Sequence, residues 1–175
     1  MFAKETTLHN VLRANFKRCG AGMIRVLFVC LGNICRSPMA EAIFRNLVMR
    51  QGLSDRFDID SAGTGEWHVG ESAHPGTLKI LTENGIKHTG KARLIQVADL
   101  DSFDYILTMD DHNLRDVKEI GTGRAKISPL LAYAPEIGTN QVPDPYYNGR
   151  YQRVYDLCTV ACDNLLQSIR SEHNL

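Results

Sequence analysis

Residues 24–38 read Ile24-Arg25-Val26-Leu27-Phe28-Val29-Cys30-Leu31-Gly32-Asn33-Ile34-Cys35-Arg36-Ser37-Pro38, and they decide the fold. The stretch up to Val29 is short, rich in β-branched residues and almost continuously apolar, as a central parallel strand covered on both faces must be. Ser37 and Pro38 then read as the N-cap and first-turn residues of a helix over about 38–51, whose apolar positions Met39, Ile43, Leu47 and Val48 recur at helical spacing up to Gly52. A buried strand, a short loop and a helix in that order open a βαβ unit.

The same alternation continues downstream. Phe57, Ile59 and Ser61 alternate with aspartates as in a half-covered edge strand, and Ala62-Gly63-Thr64-Gly65 turns the chain. Pro75 opens a helix through Leu78 and Leu81 that Gly85 closes. Tyr105 to Met109 is another buried strand, followed by Asp110 or Asp111 as N-cap of a helix carrying Leu114 and Val117. Ala125 to Leu131 supplies a fourth strand, residues 132–149 an irregular loop, and Val154, Leu157, Cys158, Ala161, Leu165 and Ile169 the apolar stripe of a last helix. These patterns predict an α/β protein with one domain over 23–175. Residues 1–22, basic through Lys4, Arg13, Lys17 and Arg18 and without strand or heptad pattern, are expected as an N-terminal extension outside that fold.

Composition narrows the function. In 175 residues, 43% are hydrophobic and 23% charged, which excludes disorder and collagen-like repetition. Twenty basic residues balance twenty acidic ones, so nothing global favours nucleic acid, and an anion site has to be local. No stretch is long and apolar enough for a membrane span, and residues 1–22 lack a secretory h-region, so a cytoplasmic location is expected. The odd set of cysteines, Cys19, Cys30, Cys35, Cys158 and Cys162, fits reduced thiols. The histidines show no metal-ligand spacing, and His68, His74, His88 and His112 read as solvated.

That local site falls between the first strand and first helix. Ligands of an open parallel sheet bind beyond the carboxyl ends of the strands, and a helix N-terminus presents unpaired N–H groups to anions. Cys30, Leu31, Gly32, Asn33, Ile34, Cys35 and Arg36 can curl around a tetrahedral oxyanion such as phosphate with their amides inward, Gly32 and Asn33 supplying positive φ. Arg36 grips two oxygens through its planar fork. Cys30 at the base of the cradle is placed as a thiolate for in-line attack on phosphorus, giving a phosphocysteine, and Ser37 steadies the thiolate. A leaving group then needs a proton, and Asp144, stiffened between Pro143 and Pro145, is the candidate acid. Tyr146 and Tyr147 beside it offer aromatic walls to a flat substrate.

CLGNICRSP after VLFV, DSAGTG, FDYILTMD and PDPYY, in that order, resemble the low-molecular-weight protein tyrosine phosphatases over about residues 24–170. The resemblance implies a four-stranded parallel sheet of order 2-1-3-4 in a three-layer, flavodoxin-like doubly wound fold. It also implies phosphotyrosine proteins and small aryl phosphates as substrates, Cys30 as nucleophile, Arg36 as clamp, Asp144 as acid and then base, and no metal or cofactor. It assigns Asn33 and Ser61, with Ser37, to the network that supports the loop. Trp67, Tyr146 and Tyr147 are assigned to the cleft, and Leu31 to its rim. Two departures stand out: Gly90 occupies the place of a family histidine that bonds the loop asparagine, leaving either His88 as substitute or a smaller network, and Gly65 stands where some relatives have serine.

Rival readings remain within the same fold. Arsenate reductases need a further cysteine pair, whereas no cysteine lies between 36 and 157. Protein-arginine phosphatases tend to carry threonine where Ile34 stands. A phosphate-binding module without turnover would lack the nucleophile or the acid. Cys35, sharing a tight loop with Cys30, is a candidate redox partner that traps an oxidised nucleophile as a disulfide. A bacterial tyrosine kinase, a small phosphoester or a host protein would present the same phosphate, and a monomer is the default.

Overall fold

The computed structural model describes residues 22–175. The expected N-terminal extension therefore lies outside the described residues, apart from Gly22. Strands β1 (Ile24–Cys30), β2 (Phe57–Gly63), β3 (Tyr105–Thr108) and β4 (Lys126–Pro129) alternate with helices α1 (Arg36–Arg50), α2 (Pro75–Glu83), α3 (Asp99–Ser102), α4 (Asp111–Ile120) and α5 (Tyr151–His173). The strands form one four-stranded sheet in the order β2-β1-β3-β4. Every pairing is parallel, with Val26 opposite Ile59 on one side and Tyr105 on the other.

The near-continuous apolar run of β1 has its explanation in the two layers. Val26, Phe28 and Cys30 point into a core shared with α1, α2 and α5, while Leu27 and Val29 point into a second core with Leu100, Ile106 and Val117. Phe28, Phe44 and Phe57 pack edge-to-face in the larger core. All six residues of the α5 stripe are buried, and each fully buried side chain of Leu or Ile size contributes ~1.5–3 kcal/mol.

Three local expectations change, and one short helix has no counterpart in the sequence reading. The first helix begins at Arg36 rather than Pro38, with Cys35 at the N-cap position and no side-chain cap. Ser37 thus sits inside the first turn, where its hydroxyl is claimed by tertiary partners. β4 is shorter than Ala125 to Leu131, because Leu130–Tyr133 coil into a 3-10 turn that buries Leu130 and Leu131. The loop over 132–149 contains a second such turn at Pro135–Ile137, and the buried Ala134 between the two anchors it. Finally α3 carries no apolar periodicity; it is set by Asp99, whose carboxylate accepts from the Gln96 amide and from Arg93.

The loops following β1, β2, β3 and β4 gather at the carboxyl edge of the sheet, bringing residues 30–36, 63–74, 109–111 and 142–151 together. No helix among the described residues is long and apolar enough to cross a membrane.

Candidate active site

A loop can point its amides inward only if its carbonyls turn outward and find donors there. Four do. Cys30 O accepts from the Thr64 amide (2.9 Å), Leu31 O from Gly65 (2.8 Å) and Ile34 O from His74 (2.7 Å). The Cys35 carbonyl accepts from the buried Thr77 hydroxyl at 3.1 Å. Asn33 takes the left-handed conformation, φ 53°, whereas Gly32 keeps an ordinary φ and contributes space instead, since a Cβ there would lie 3.0 Å from the His68 ring. Gly63 is needed for close approach: a Cβ at that position would meet the Leu31 carbonyl oxygen at 2.7 Å.

At the base of the loop the Cys30 sulfur lies 3.0 Å from Ser37 Oγ and receives the Asn33 amide at 3.3 Å. Asn33 Nδ2 donates to both Ser37 Oγ and Ser61 Oγ at 2.9 Å, and its Oδ1 accepts from the Arg93 amide, so both of its amide protons and its oxygen are engaged. Ser61 in turn donates to Glu41 at 2.7 Å, and Arg45 caps Glu41 at 2.9 Å. Asn33 and Ser37 accordingly stand behind the loop, as its support, and not on the cleft wall. Glu41 and Thr77 were not anticipated from sequence. The spacing of Ser37, Glu41 and Arg45 by four along α1 is a signal for the first; nothing local marks the second.

Arg36 is almost fully buried, and its fork bridges two carboxylates: Nη1 to Asp110 at 2.5 Å and Nη2 to Asp144 at 2.9 Å, with the Val142 carbonyl at 3.3 Å. These neighbours and the Cys30 side chain raise the guanidinium's pKa against the opposing effect of burial, so it is a permanent cation. Asp110 is also the N-cap of α4, accepting from the Asn113 amide. Asp144 is held from the other side by the Tyr146 amide.

Cys30, Arg36 and Asp144 open on a cleft of about 310 Å³, which Leu31, Gly32, Ile34, Cys35, Trp67, His68, Tyr146 and Tyr147 also line. Its floor is buried and its rim is exposed, Trp67 to 70% and Tyr147 to 90%. Cys35, beneath this wall, lies 3.9 Å from the Tyr151 hydroxyl. Burial pushes its thiol up to about 12, with Cys30 and Asp144 adding to the shift.

The histidines are not uniformly solvated. His112 is exposed, but His68, His74 and His88 are half-buried. His74 bonds Tyr151 and caps α2. His88 lies beside Gly90, whose Cβ would stand 2.9 Å from its ring, and is influenced by Glu41 and Arg45. It does not replace the family histidine at Asn33; the Arg93 amide fills that role, and Glu41 closes the network behind Ser61. Gly65 leaves room for the Trp67 ring, which occupies the space a side chain would need.

A cysteine and an arginine closing one amide-lined loop at the carboxyl edge of a parallel sheet, with an aspartate facing them, define the cysteine-loop phosphatases as a class. Within it, the model of the low molecular weight phosphotyrosine protein phosphatases matches residues 25–175. The low molecular weight protein-tyrosine-phosphatase YfkJ of Bacillus subtilis is 47% identical over 156 residues, 87% of this chain and 100% of the relative. Its crystal structure superposes with a TM-score of 0.84, covering 86% of this chain and 97% of that one. The low molecular weight phosphotyrosine protein phosphatase of Schizosaccharomyces pombe is 52% identical over 129 residues, 72% of this chain and 83% of the relative. The crystal structure of DARP, a Drosophila arginine phosphatase, is 34% identical with a TM-score of 0.80, covering 84% of this chain and 98% of that one. The chain belongs to the low molecular weight protein-tyrosine phosphatase family, and it is a phosphatase enzyme.

Proposed function

We propose that Cys30, Arg36 and Asp144 carry out the dephosphorylation of phosphotyrosine in two displacements. The monoester's phosphoryl group enters the loop with its oxygens on the inward amides and on the Arg36 fork, taking the place that Asp144 holds on Nη2. Asp144, released from the guanidinium, takes up a proton from solvent and holds it for the leaving phenolate. The Cys30 thiolate attacks phosphorus as the ester bond breaks, and the phenolate leaves with the Asp144 proton. Asp144 then takes a proton from water, which attacks the phosphocysteine; phosphate departs and the thiolate returns. Ser37 accepts from Asn33 Nδ2 and has one proton to donate, with two acceptors in reach, the Ala62 carbonyl at 3.3 Å and the Cys30 sulfur at 3.0 Å; an anionic sulfur is the stronger acceptor and draws that proton.

The observation that carries this reading is the Cys30 sulfur at the base of the same loop whose arginine touches Asp144 at 2.9 Å. Hydrolysis of p-nitrophenyl phosphate without added metal, and label from a ³²P-aryl phosphate trapped on Cys30 by acid quench, test it. Cys30→Ser turning over at the wild-type rate, or label appearing elsewhere, overturns it.

Leu31, Trp67, Tyr146 and Tyr147 are proposed to flank the substrate ring, with Gly32, Ile34 and Cys35 beneath it. Ile34 favours phosphotyrosine over phosphoarginine, which paired phosphopeptides distinguish. Cys158 and Cys162 are wholly buried, and Cys158 is pushed up to about 12 by that burial, so neither suits the relay of an arsenate reductase. Cys35 is proposed as partner of an oxidised Cys30: peroxide converts Cys30 to a sulfenic acid, and the Cys35 sulfur displaces water to form the disulfide. Recovery in dithiothreitol that Cys35→Ser lacks is the expected result; equal recovery in both removes this role. Residues 23–175 are taken as one phosphatase domain, acting as a monomer in the cytoplasm on tyrosine-phosphorylated proteins, with no nucleic-acid or membrane partner; a bacterial tyrosine kinase, a small phosphoester and a host protein are the alternative substrates.

A further inference from the structure

Tyr146 stands in an exposed segment, held through its backbone only by Asp144, yet a cleft wall needs a fixed ring. Its ring meets Tyr147 at 5.1 Å, His74 at 5.8 Å and His68 at 6.3 Å, and of these three His74 is the one whose backbone amide bonds the phosphate loop. The His74 amide donates to the Ile34 carbonyl, tying the residue directly to the phosphate loop. Its Nδ1 accepts from the Gly76 amide at 3.0 Å and lies 2.8 Å from the Tyr151 hydroxyl. A backbone N–H can only donate, so Nδ1 is an acceptor and Tyr151 donates to it; the ring proton is on Nε2.

The imidazole is thereby oriented from two sides, and stacking completes its placement. It lies 5.2 Å from the Tyr151 ring at 11° and meets Tyr146 edge-to-face at 5.8 Å and 68°. Gly76 permits this, because a Cβ there would stand 2.4 Å from the Tyr151 ring. A continuous chain of contacts runs from the loop carbonyl through His74 to the aromatic wall, with Tyr151 of α5 as its back support.

We propose that His74 is a positioning residue for aryl phosphates: its ring sets the stance of Tyr146 over the phosphate loop and so favours substrates with a flat group next to the phosphate. The inference rests on Tyr146 being a wall of the cleft. Its effect belongs to binding of the aryl group and not to the chemical step or to the hold on phosphate.

Four variants test it with p-nitrophenyl phosphate as substrate and inorganic phosphate as inhibitor. His74→Asn keeps an acceptor for the Gly76 amide and loses the ring; Tyr151→Phe keeps the stack and loses only the hydroxyl; Tyr146→Ala and its combination with His74→Asn complete the cycle. His74→Asn is expected to raise KM by about three- to tenfold, the scale of a lost aromatic contact, with kcat within about twofold and the phosphate inhibition constant unchanged. Tyr151→Phe moves KM the same way by less, and in the Tyr146→Ala background His74→Asn adds nothing. A wild-type KM for His74→Asn overturns the proposal, as does a KM rise that persists without Tyr146 or that the phosphate constant follows. If His74→Asn fails to fold, a wild-type KM for Tyr151→Phe has the same force. A wild-type KM for Tyr146→Ala removes the wall itself, and that failure is separate from one in which Tyr146→Ala raises KM and His74→Asn does not.

Discussion

The loop over residues 30–36 and the segment over 142–150 face each other across the cleft and are built in opposite ways. In the first, four carbonyls and the Asn33 side chain are matched by donors and acceptors from β2, α1, α2 and Arg93. In the second, residues 146–150 are all exposed, and the chain is tied down by the Val142 amide on Met109, the Gly149 amide on Pro145 and the grip of Arg36 on Asp144. Under the proposed mechanism the contrast separates two tasks. Holding a phosphoryl group needs dipoles fixed in advance, which dense neighbours provide; accommodating different leaving groups and returning a proton suits a segment with fewer ties.

Four experiments break or sharpen that contrast. Within the rigid loop the two thiols should differ most: with its thiol pushed up to about 12, Cys35 carries on the order of one thiolate in 10⁵ molecules at pH 7. Iodoacetate at that pH should therefore inactivate the enzyme through Cys30 while Cys35 stays unlabelled by peptide mass mapping. Early labelling of Cys35 would mean that the loop opens. On the looser side, Asp144→Ala should lower kcat for p-nitrophenyl phosphate by about 10²–10⁴-fold while inorganic phosphate still binds, since the fork of Arg36 is then free; loss of phosphate binding would tie the two segments together.

Thr77→Val keeps the shape of a side chain that is fully buried and leaves the Cys35 carbonyl without its donor. It should cost about 1–3 kcal/mol of stability in urea unfolding, with a higher inhibition constant for phosphate. A silent Thr77→Val would show the outward carbonyls do not need fixed partners. The smallest effect concerns the network behind the loop. Burial lowers the pKa of His88 below its ordinary 6.5, Arg45 assists and Glu41 opposes. The unfolded chain therefore takes up a proton at higher pH than the folded one, and stability is lost as pH falls through 6.5. His88→Gln should flatten that part of the melting-temperature profile between pH 7 and 5; an unchanged slope would assign the pH dependence to another group.

The sheet and the loop were legible because their signals are local. The unbroken run of β1, the helical spacing of Met39 and Ile43, and the stripe of α5 each report on a single element's surroundings. Cys30, Arg36 and Asp144 were legible through a strand–loop–helix order and a proline-flanked acid. Ser37 misled for a physical reason: serine before proline is the usual mark of a cap, but this hydroxyl is taken by Cys30 and Asn33. Glu41 is marked only by its four-residue spacing from Ser37 and Arg45, and Thr77 and the Arg36–Asp110 pair by nothing local, since what makes them part of the site is contact with residues tens of positions away. His74 was misjudged in the same manner, its burial being made by α5.

The contact between Cys35 and Tyr151 spans 116 positions of the chain, and the tie between Arg36 and Asp144 spans 108. A growing polypeptide on the ribosome that has released β1, α1 and β2 would own Cys30 and half its loop, but neither Asp144 nor the helix against which Cys35 and His74 lean. The complete cleft thus waits on the emergence of α5, and the first turnover of a newly made molecule announces that folding has reached that helix.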